Sequence, residues 1–510
     1  MQSIVSNFLQ QRQATTATVA TTSIIAATIL LYSFNRLSRN KRDDSTPCIP
    51  HRFPFIGSTL EYLADTEAFA KKYSDLYGPV FKAHLFGKVV IVVGGQYAEE
   101  VFTNPDMSFI ASNNKFINVN SALDTNSYEL TTNDLRHLIL KHLKDNIDVY
   151  LARVQKETMQ VLKSKLGDHS SVTLAGLYPL ARALTANATG TVFGGPSMLS
   201  NDTLMEHFEY TADETLKDVI RAAPYTMFWP GLSYLYRCIL QPKFGSIKRH
   251  LKVIKRAVRP EVEHRLQALR KNGTLNEEQD VMNYIIETYL HDQEDTIVVN
   301  SISNWFVVMS FLSVLTTSGA LGNVLEYLAK YPEYVAELLE EQNNIIPQDQ
   351  MGVTSAEQKK LIKLDSFIRE VFRITTKNFG HAHTHIGKQD IVLSNGTVVH
   401  PGDEVYINLW HVNFDPKIQR GVEDVDTFKP FRYVDQDKPA VRCSPDYLAF
   451  GLGRHACPGR WFAIDIIKTI ISILIRHYEL SLAPEDDKTG TPDDLEKEAR
   501  RVIVKPRTST

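Results

Sequence analysis

Between Ile302 and Ala329 the chain runs for about 28 residues with no charge except Glu326. A helix of that length is roughly 40 Å long at 1.5 Å per residue, enough to cross an entire domain. Such an apolar helix must be buried, and the Ser and Thr scattered through it suit a protein interior better than a bilayer. Whatever the fold, other elements have to wrap around this segment. At 510 residues and 43% hydrophobic content the chain can supply that wrapping, although its length alone suggests two or three domains.

A formal charge of -3 and a pI near 6.6 give no electrostatic case for nucleic-acid binding. The four cysteines, Cys48, Cys238, Cys443 and Cys457, are far apart and form no C-x-x-C pair. This argues against a zinc site or a disulfide framework and fits a reducing compartment.

A second uncharged run, from Thr16 to Phe34, has the length of a bilayer span. It is long for a signal-peptide core, no clear cleavage site follows, and only Arg12 before it is basic, unlike an Arg-rich transit peptide. Arg36, Arg39, Lys41 and Arg42 come after it and, by the positive-inside rule, keep the rest of the chain cytosolic. The run is predicted to be an uncleaved, single-pass anchor in the endoplasmic reticulum membrane, with residues 1–15 lumenal. Residues 35–57 then form a basic linker stiffened by Pro47, Pro50 and Pro54.

Beyond the linker, apolar spacing predicts a helix over Leu60 to Tyr77, a hairpin of Val80 to Phe86 and Val89 to Val93 turning at Gly87-Lys88, and a helix over Gln96 to Thr103. Residues 108–132, rich in Asn, Ser and Thr, read as a long loop. A basic helix follows over Asn133 to Asn146, and three more reach Lys217. The aromatic turn Pro224 to Pro230 is either a buried loop or a second membrane contact. Helices are predicted near His264 to Lys271, Glu277 to His291 and Gln358 to Thr375, and strands at Ile391 to His400 and Val405 to Leu409 around an Asn395-Gly396 turn.

The last signal is the stretch Phe450-Gly451-Leu452-Gly453-Arg454-His455-Ala456-Cys457-Pro458-Gly459, with a periodic helix over Trp461 to Tyr478 behind it. Gly453 can take φ > 0 in the turn, and Gly459 lets backbone approach a flat ligand. A helix starting near Pro458 aims its N–H groups at the sulfur of Cys457, favouring thiolate over thiol. A lone cysteine beside a glycine loop is ordinarily just a core thiol. Here Phe450, Gly453, His455, Cys457 and Gly459 fill all five positions of F-x-x-G-x-(R/H)-x-C-x-G, and the chain resembles the cytochrome P-450 family.

That resemblance runs from about Pro47 to the C-terminus. It implies a single mainly α catalytic domain, 58–510, with small β-sheets, a triangular helical prism enclosing haem b. It also implies that Cys457 is the axial iron ligand and that His455 contacts a haem propionate. A thiolate ligand pushes electron density onto iron and favours O–O cleavage. Electrons would come from NADPH through NADPH-cytochrome P-450 reductase, with cytochrome b5 as a second candidate donor. The region 108–132 would cover the pocket of a lipophilic substrate such as a sterol, terpenoid or fatty acid.

Other expected roles follow from position. Glu370 and Arg373, on one helical face at i, i+3, would join Arg432 in a buried structural cluster. His383, in the alternating set His381, His383 and His385, falls near the family's second propionate arginine. Lys141 is a further propionate candidate, with a solvated basic face as the alternative. In the long helix, Leu312 to Thr317 fall on the oxygen-activating (A/G)-G-x-(D/E)-T-(T/S) kink, which keeps Thr316 and Thr317 but has Leu315 for the acid. Two alternatives therefore stay open: a peroxide isomerase or dehydratase, which needs no proton relay, and a non-enzymatic haem protein.

Overall fold

The computed structural model describes residues 46–507 except 52–55, 168–170, 229–231, 233–234, 276–279, 348–352 and 485–500, and not the side chains of 132 and 224–228. The predicted anchor, most of the linker, the aromatic side chains of 224–230 and the charged segment 485–500 lie outside the described residues.

The long segment is a helix from Asp295 to Lys330, 36 residues, and 72% of its most apolar window is buried inside the protein. Among the described residues it alone is long and apolar enough to cross a membrane. It packs against helices Tyr178–Phe193, Asp202–Phe228 and Ser246–Asn272. A continuous apolar core joins these helices to those at Ile147–Leu166, Ile362–Thr375 and Arg460–His477.

Among the described residues, ten short strands form three sheets: β1 (Val80–Leu85), β2 (Lys88–Val93), β3 (Met107–Ser108), β4 (Val172–Leu174), β5 (Phe379–His385), β6 (Ile391–Val392), β7 (Val398–Val399), β8 (Glu404–Asn408), β9 (Tyr478–Leu482) and β10 (Val502–Pro506). The larger sheet has the order β1-β2-β8-β5-β3, and β4-β10-β9 makes a second. The β1–β2 hairpin turns at Phe86-Gly87, both at positive φ, one residue earlier than the pattern predicts. This geometry matches the right-handed strand twist, and Gly87 supplies its second position without strain. At the other end of the chain, β10 pairs on both sides rather than at an edge.

The region predicted as one loop contains a helix, Phe109–Phe116, and a short 3₁₀ turn, Val119–Ala122. Ser108 starts that helix by accepting the Ala111 N–H, and Asn118 caps the turn through Ser121 N–H. Both are short polar side chains whose composition reads as loop until the cap partner is known.

Candidate active site

The cysteine loop folds back on itself through backbone bonds. Cys457 N–H donates to the Phe450 carbonyl at 2.8 Å, and Gly451 and Gly453 bend the chain between them at φ of 72° and 58°. A side chain at Gly451 would strike the His455 carbonyl, whereas a Cβ at Gly459 would meet no protein atom within 4 Å. Glycine at 459 is therefore not demanded by the protein's own packing. Behind the loop, Gly459 caps the helix Arg460–His477.

Cys457 is solvent-accessible on one side and packed on the other. Burial pushes its thiol up, and the backbone N–H groups of Gly459 and Arg460 together with the Arg460 charge pull it back only in part. The helix start alone does not make a thiolate, contrary to the expectation from the sequence. A metal cation facing the sulfur would, since coordination deprotonates a thiol outright.

Beneath the loop, one face of the helix Ile362–Thr375 carries a stripe of buried polar groups. Glu370 is fully buried and takes a two-pronged pair from Arg373, both bonds 2.8 Å, plus Arg432 Nε–H at 3.2 Å. Arg373 also donates to the carbonyls of Asn413 and Val425. Further along, Ser366 hydroxyl donates to Pro430 C=O and accepts Tyr433 N–H, and Arg369 donates to Pro439 C=O with its guanidinium 3.8 Å from the Tyr447 ring centre. Asp365 accepts Ala440 N–H at 2.7 Å and pairs with Lys468 of the closing helix at 2.7 Å, both largely buried. Sequence reasoning missed Asp365, Ser366, Arg369 and Lys468. The spacing of the first three with Glu370 and Arg373, one polar face on the helix Ile362–Thr375, was the available signal, whereas Lys468 lies on the closing helix and nothing local pairs it with Asp365.

The long helix departs from α geometry at Ser310–Leu315, where a π turn breaks the ladder at the expected kink. Leu312 is 60% exposed and Thr316 is exposed, although the turns on either side are buried. Leu312 and Thr316, at i, i+4, thus form one exposed face at this level of the helix. Thr316 hydroxyl donates to the Leu312 carbonyl at 2.9 Å, while Thr317 is buried.

Histidines 381, 383 and 385 do not share one strand face, because a bulge between Gly380 and His383 inserts a residue and His381 takes φ of 45°. His381 Nε2–H donates to Leu448 C=O at 2.7 Å. His383 Nδ1–H donates to His381 C=O at 2.7 Å, and its ring lies 5.0 Å from that of His455 and 4.8 Å from that of Phe102. His383 Nε2 is buried without a hydrogen-bond partner, and burial pushes the ring's pKa down to about 4. His455 Nε2 accepts from Arg454, whose guanidinium is spread over three carbonyls at Asn104, Pro105 and Met107. Lys141 is exposed on the π turn Leu138–Leu143, and no hydrogen bond or ion pair among the described residues joins it to the others.

The mostly helical fold, the single-cysteine loop leading into the helix Arg460–His477 and the π turn in the long helix agree with the haem-thiolate class of protein. The family profile for cytochrome P450 matches residues 47–507. Cytochrome P450 monooxygenase BOA4 of Botryotinia fuckeliana (strain B05.10) is 27% identical over 368 residues, 71% of each chain. Cytochrome P450 monooxygenase idtP of Claviceps paspali is 24% identical over 91% of this chain and 93% of its own. The solved structure of retinoic acid bound cyanobacterial CYP120A1 superposes with a TM-score of 0.67 at 21% identity, covering 91% of this chain and all of that one.

The chain belongs to the cytochrome P450 family, and with it to the monooxygenase class of oxidoreductases. Haem, which the family implies, fits the residues present. Cys457 offers a soft ligand, Gly459 leaves clear space, and the orphaned Nε2 of His383 lacks the carboxylate that would satisfy it.

Proposed function

We propose that the protein is a haem b monooxygenase that inserts one oxygen atom from O₂ into a lipophilic substrate. Its electrons come from NADPH through a membrane-bound flavoprotein reductase, with cytochrome b5 as a further donor. Residues 16–34 anchor it in the endoplasmic reticulum membrane with the catalytic domain, 58–510, in the cytosol. The single observation that carries the reading is the cysteine loop, with Cys457 N–H on Phe450 C=O and the N–H groups of Gly459 and Arg460 turned to the sulfur.

Bound haem would supply the oxygen chemistry; the protein's share is positioning, electronics and exclusion of water. Cys457 would hold the iron. His383 and His455 would take the haem carboxylates: His383 only as an imidazolium, because its Nδ1–H is committed to a carbonyl and neutral Nε2 has no proton to give, and His455 only after its Nε2 gives up the Arg454 Nε–H it now accepts. A carboxylate at Nε2 raises the pKa that burial depresses. Thr316 is the hydroxyl that hands on protons, its Oγ1–H leaving the Leu312 carbonyl to do so, with Thr317 packed beside it. Leu315 removes the usual acid, so the proton reaches Thr316 through water. Lys141 is a third carboxylate contact. Glu370, Arg373 and Arg432 fix the loop.

The test is a carbon-monoxide difference spectrum of the reduced protein, followed by turnover with NADPH, reductase and O₂ across a lipophilic library scored by substrate-induced spin shift. A thiolate-type spectrum with O₂-dependent product supports the reading. The same spectrum with rearrangement of a hydroperoxide and no O₂ requirement would instead support a peroxide isomerase or dehydratase, to which the loss of the acid at Leu315 points.

A further inference from the structure

We infer that Asn304 and Asp124 are positioning residues that clamp the covering loop to two helices and so set the rate at which a lipophilic molecule reaches the pocket. The inference rests on the haem-thiolate reading both for the covering role expected of residues 108–132 and for the spectroscopic signal that reports ligand arrival.

The loop between the 3₁₀ turn and the helix Thr132–His137 is fastened by its backbone. The Asn304 amide takes both polar groups of one peptide residue, accepting Asp124 N–H at 3.0 Å and donating to Asp124 C=O at 2.9 Å, and donates also to Ser127 Oγ at 3.0 Å. One turn earlier on the long helix, Asn300 donates to Asn126 C=O at 2.7 Å, and Ser301 Oγ accepts Tyr128 N–H at 2.8 Å. Asn300 and Asn304 are buried in a helix whose other buried groups are apolar side chains and small hydroxyls. Buried amides are costly unless bonded, and the loop's peptide groups are the partners that relieve that cost.

The Asp124 side chain turns the other way. Its carboxylate meets Lys255 at 2.9 Å and Lys248 at 3.2 Å, both on the helix Ser246–Asn272, and Lys248 also donates to Ala122 C=O. One residue is thus held to the long helix by its peptide and to a second helix by its charge. The two attachments differ in kind. The amide clamp is buried and indifferent to salt, whereas the lysine pairs are partly exposed and are screened by it. If the loop lifts to admit a ligand, the lysine side yields first. Association of an uncharged ligand should then quicken with ionic strength, although no electrostatic attraction steers it.

The experiment uses the haem-loaded full chain and 4-phenylimidazole at a pH where it is neutral, with binding followed by the Soret shift in stopped flow. For the wild type, both association and dissociation rates should rise between about 0.05 and 0.5 M salt, as the Debye length falls from about 14 Å to about 4 Å and the partly exposed lysine pairs are progressively screened. Asp124→Asn should raise both rates about tenfold at low salt, leave Kd within about threefold, and abolish the salt dependence. Asn304→Ser should raise both rates as well but keep the salt dependence, because the lysine pairs survive. Glu263→Gln, which breaks an exposed pair with Arg259 elsewhere on the Ser246–Asn272 helix, should behave as wild type. Lys255→Met tests the same contact from the helix side should Asp124→Asn not fold. Rates within about twofold of wild type for Asp124→Asn and Asn304→Ser at every salt concentration would overturn the inference. A wild type without the thiolate-type carbon-monoxide band would instead sink the haem-thiolate reading.

Discussion

The two sides of the site are built on opposite plans. On the cysteine side, charge is buried and held by many bonds: Glu370 is inaccessible, Arg373 is 1% exposed, and each of Asp365, Ser366, Arg369, Glu370 and Arg373 binds a different point of the 413–447 segment or the closing helix. In the long helix, by contrast, Leu312 and the back-bonded Thr316 are exposed, with the α ladder broken. A ligand loop must hold one sulfur in one place, so its supports are buried ion pairs, which lose heavily when one partner is removed. A helix in the role proposed for this one must tolerate different contents, and its groups here are apolar or satisfied by their own backbone.

The sharpest way to break this contrast is at the sulfur. Cys457→Ser should abolish the thiolate-type carbon-monoxide band and all O₂-dependent turnover, and an unchanged Soret spectrum with full activity would refute the assignment. Next comes Glu370→Gln, which leaves Arg373 and Arg432 buried without their shared counter-charge. A loss of about 3–5 kcal/mol is expected, seen as failure to incorporate haem and an early melting transition. Lys468→Met should cost less, about 1–3 kcal/mol, because Asp365 keeps the Ala440 N–H. Its signature is a shift of the carbon-monoxide band away from the thiolate form on mild heating, corrected by Lys468→Arg.

His383 gives a pH-dependent prediction of smaller size. Its pKa is about 4 when Nε2 has no partner and is raised when a carboxylate sits there. A group whose pKa rises on binding strengthens binding most below its lower pKa and loses that contribution as pH climbs through the higher one. Haem release to an apo-globin acceptor should therefore accelerate as pH rises, and His383→Gln should flatten that dependence. Thr316→Ala should have the least effect on stability, within about 0.5 kcal/mol, since its hydroxyl only back-bonds. It should shift the balance of O₂ consumption from product toward peroxide, measured as product formed per NADPH.

Much of this architecture is legible in the order of the residues. Local rules suffice for the long buried helix, the cysteine loop with Gly453 at positive φ, the pairing of Glu370 with Arg373, and the Asn395-Gly396 turn between β6 and β7. Each depends on residues within about one helical turn or one hairpin of each other, where spacing and side-chain chemistry leave few choices. The histidine strand fails for the same reason in reverse. Period-two alternation puts His381, His383 and His385 on one face only if no bulge intervenes, and the bulge is decided by pairing with β8 rather than by the histidines themselves.

The amino-acid sequence by itself determined which residues have the chemistry: one thiol in a turn, one apolar helix, one acid with two arginines. Tertiary structure alone decided what those groups meet. It joined Asp365 to Lys468 across about a hundred residues, tied Asn304 to the peptide of Asp124, left Nε2 of His383 without a partner, and kept the Cys457 thiol above its ordinary pKa. The physical reason is range: propensity and periodicity act over a few residues, while burial, orphaned donors and ion-pair partners exist only once distant segments exclude water together.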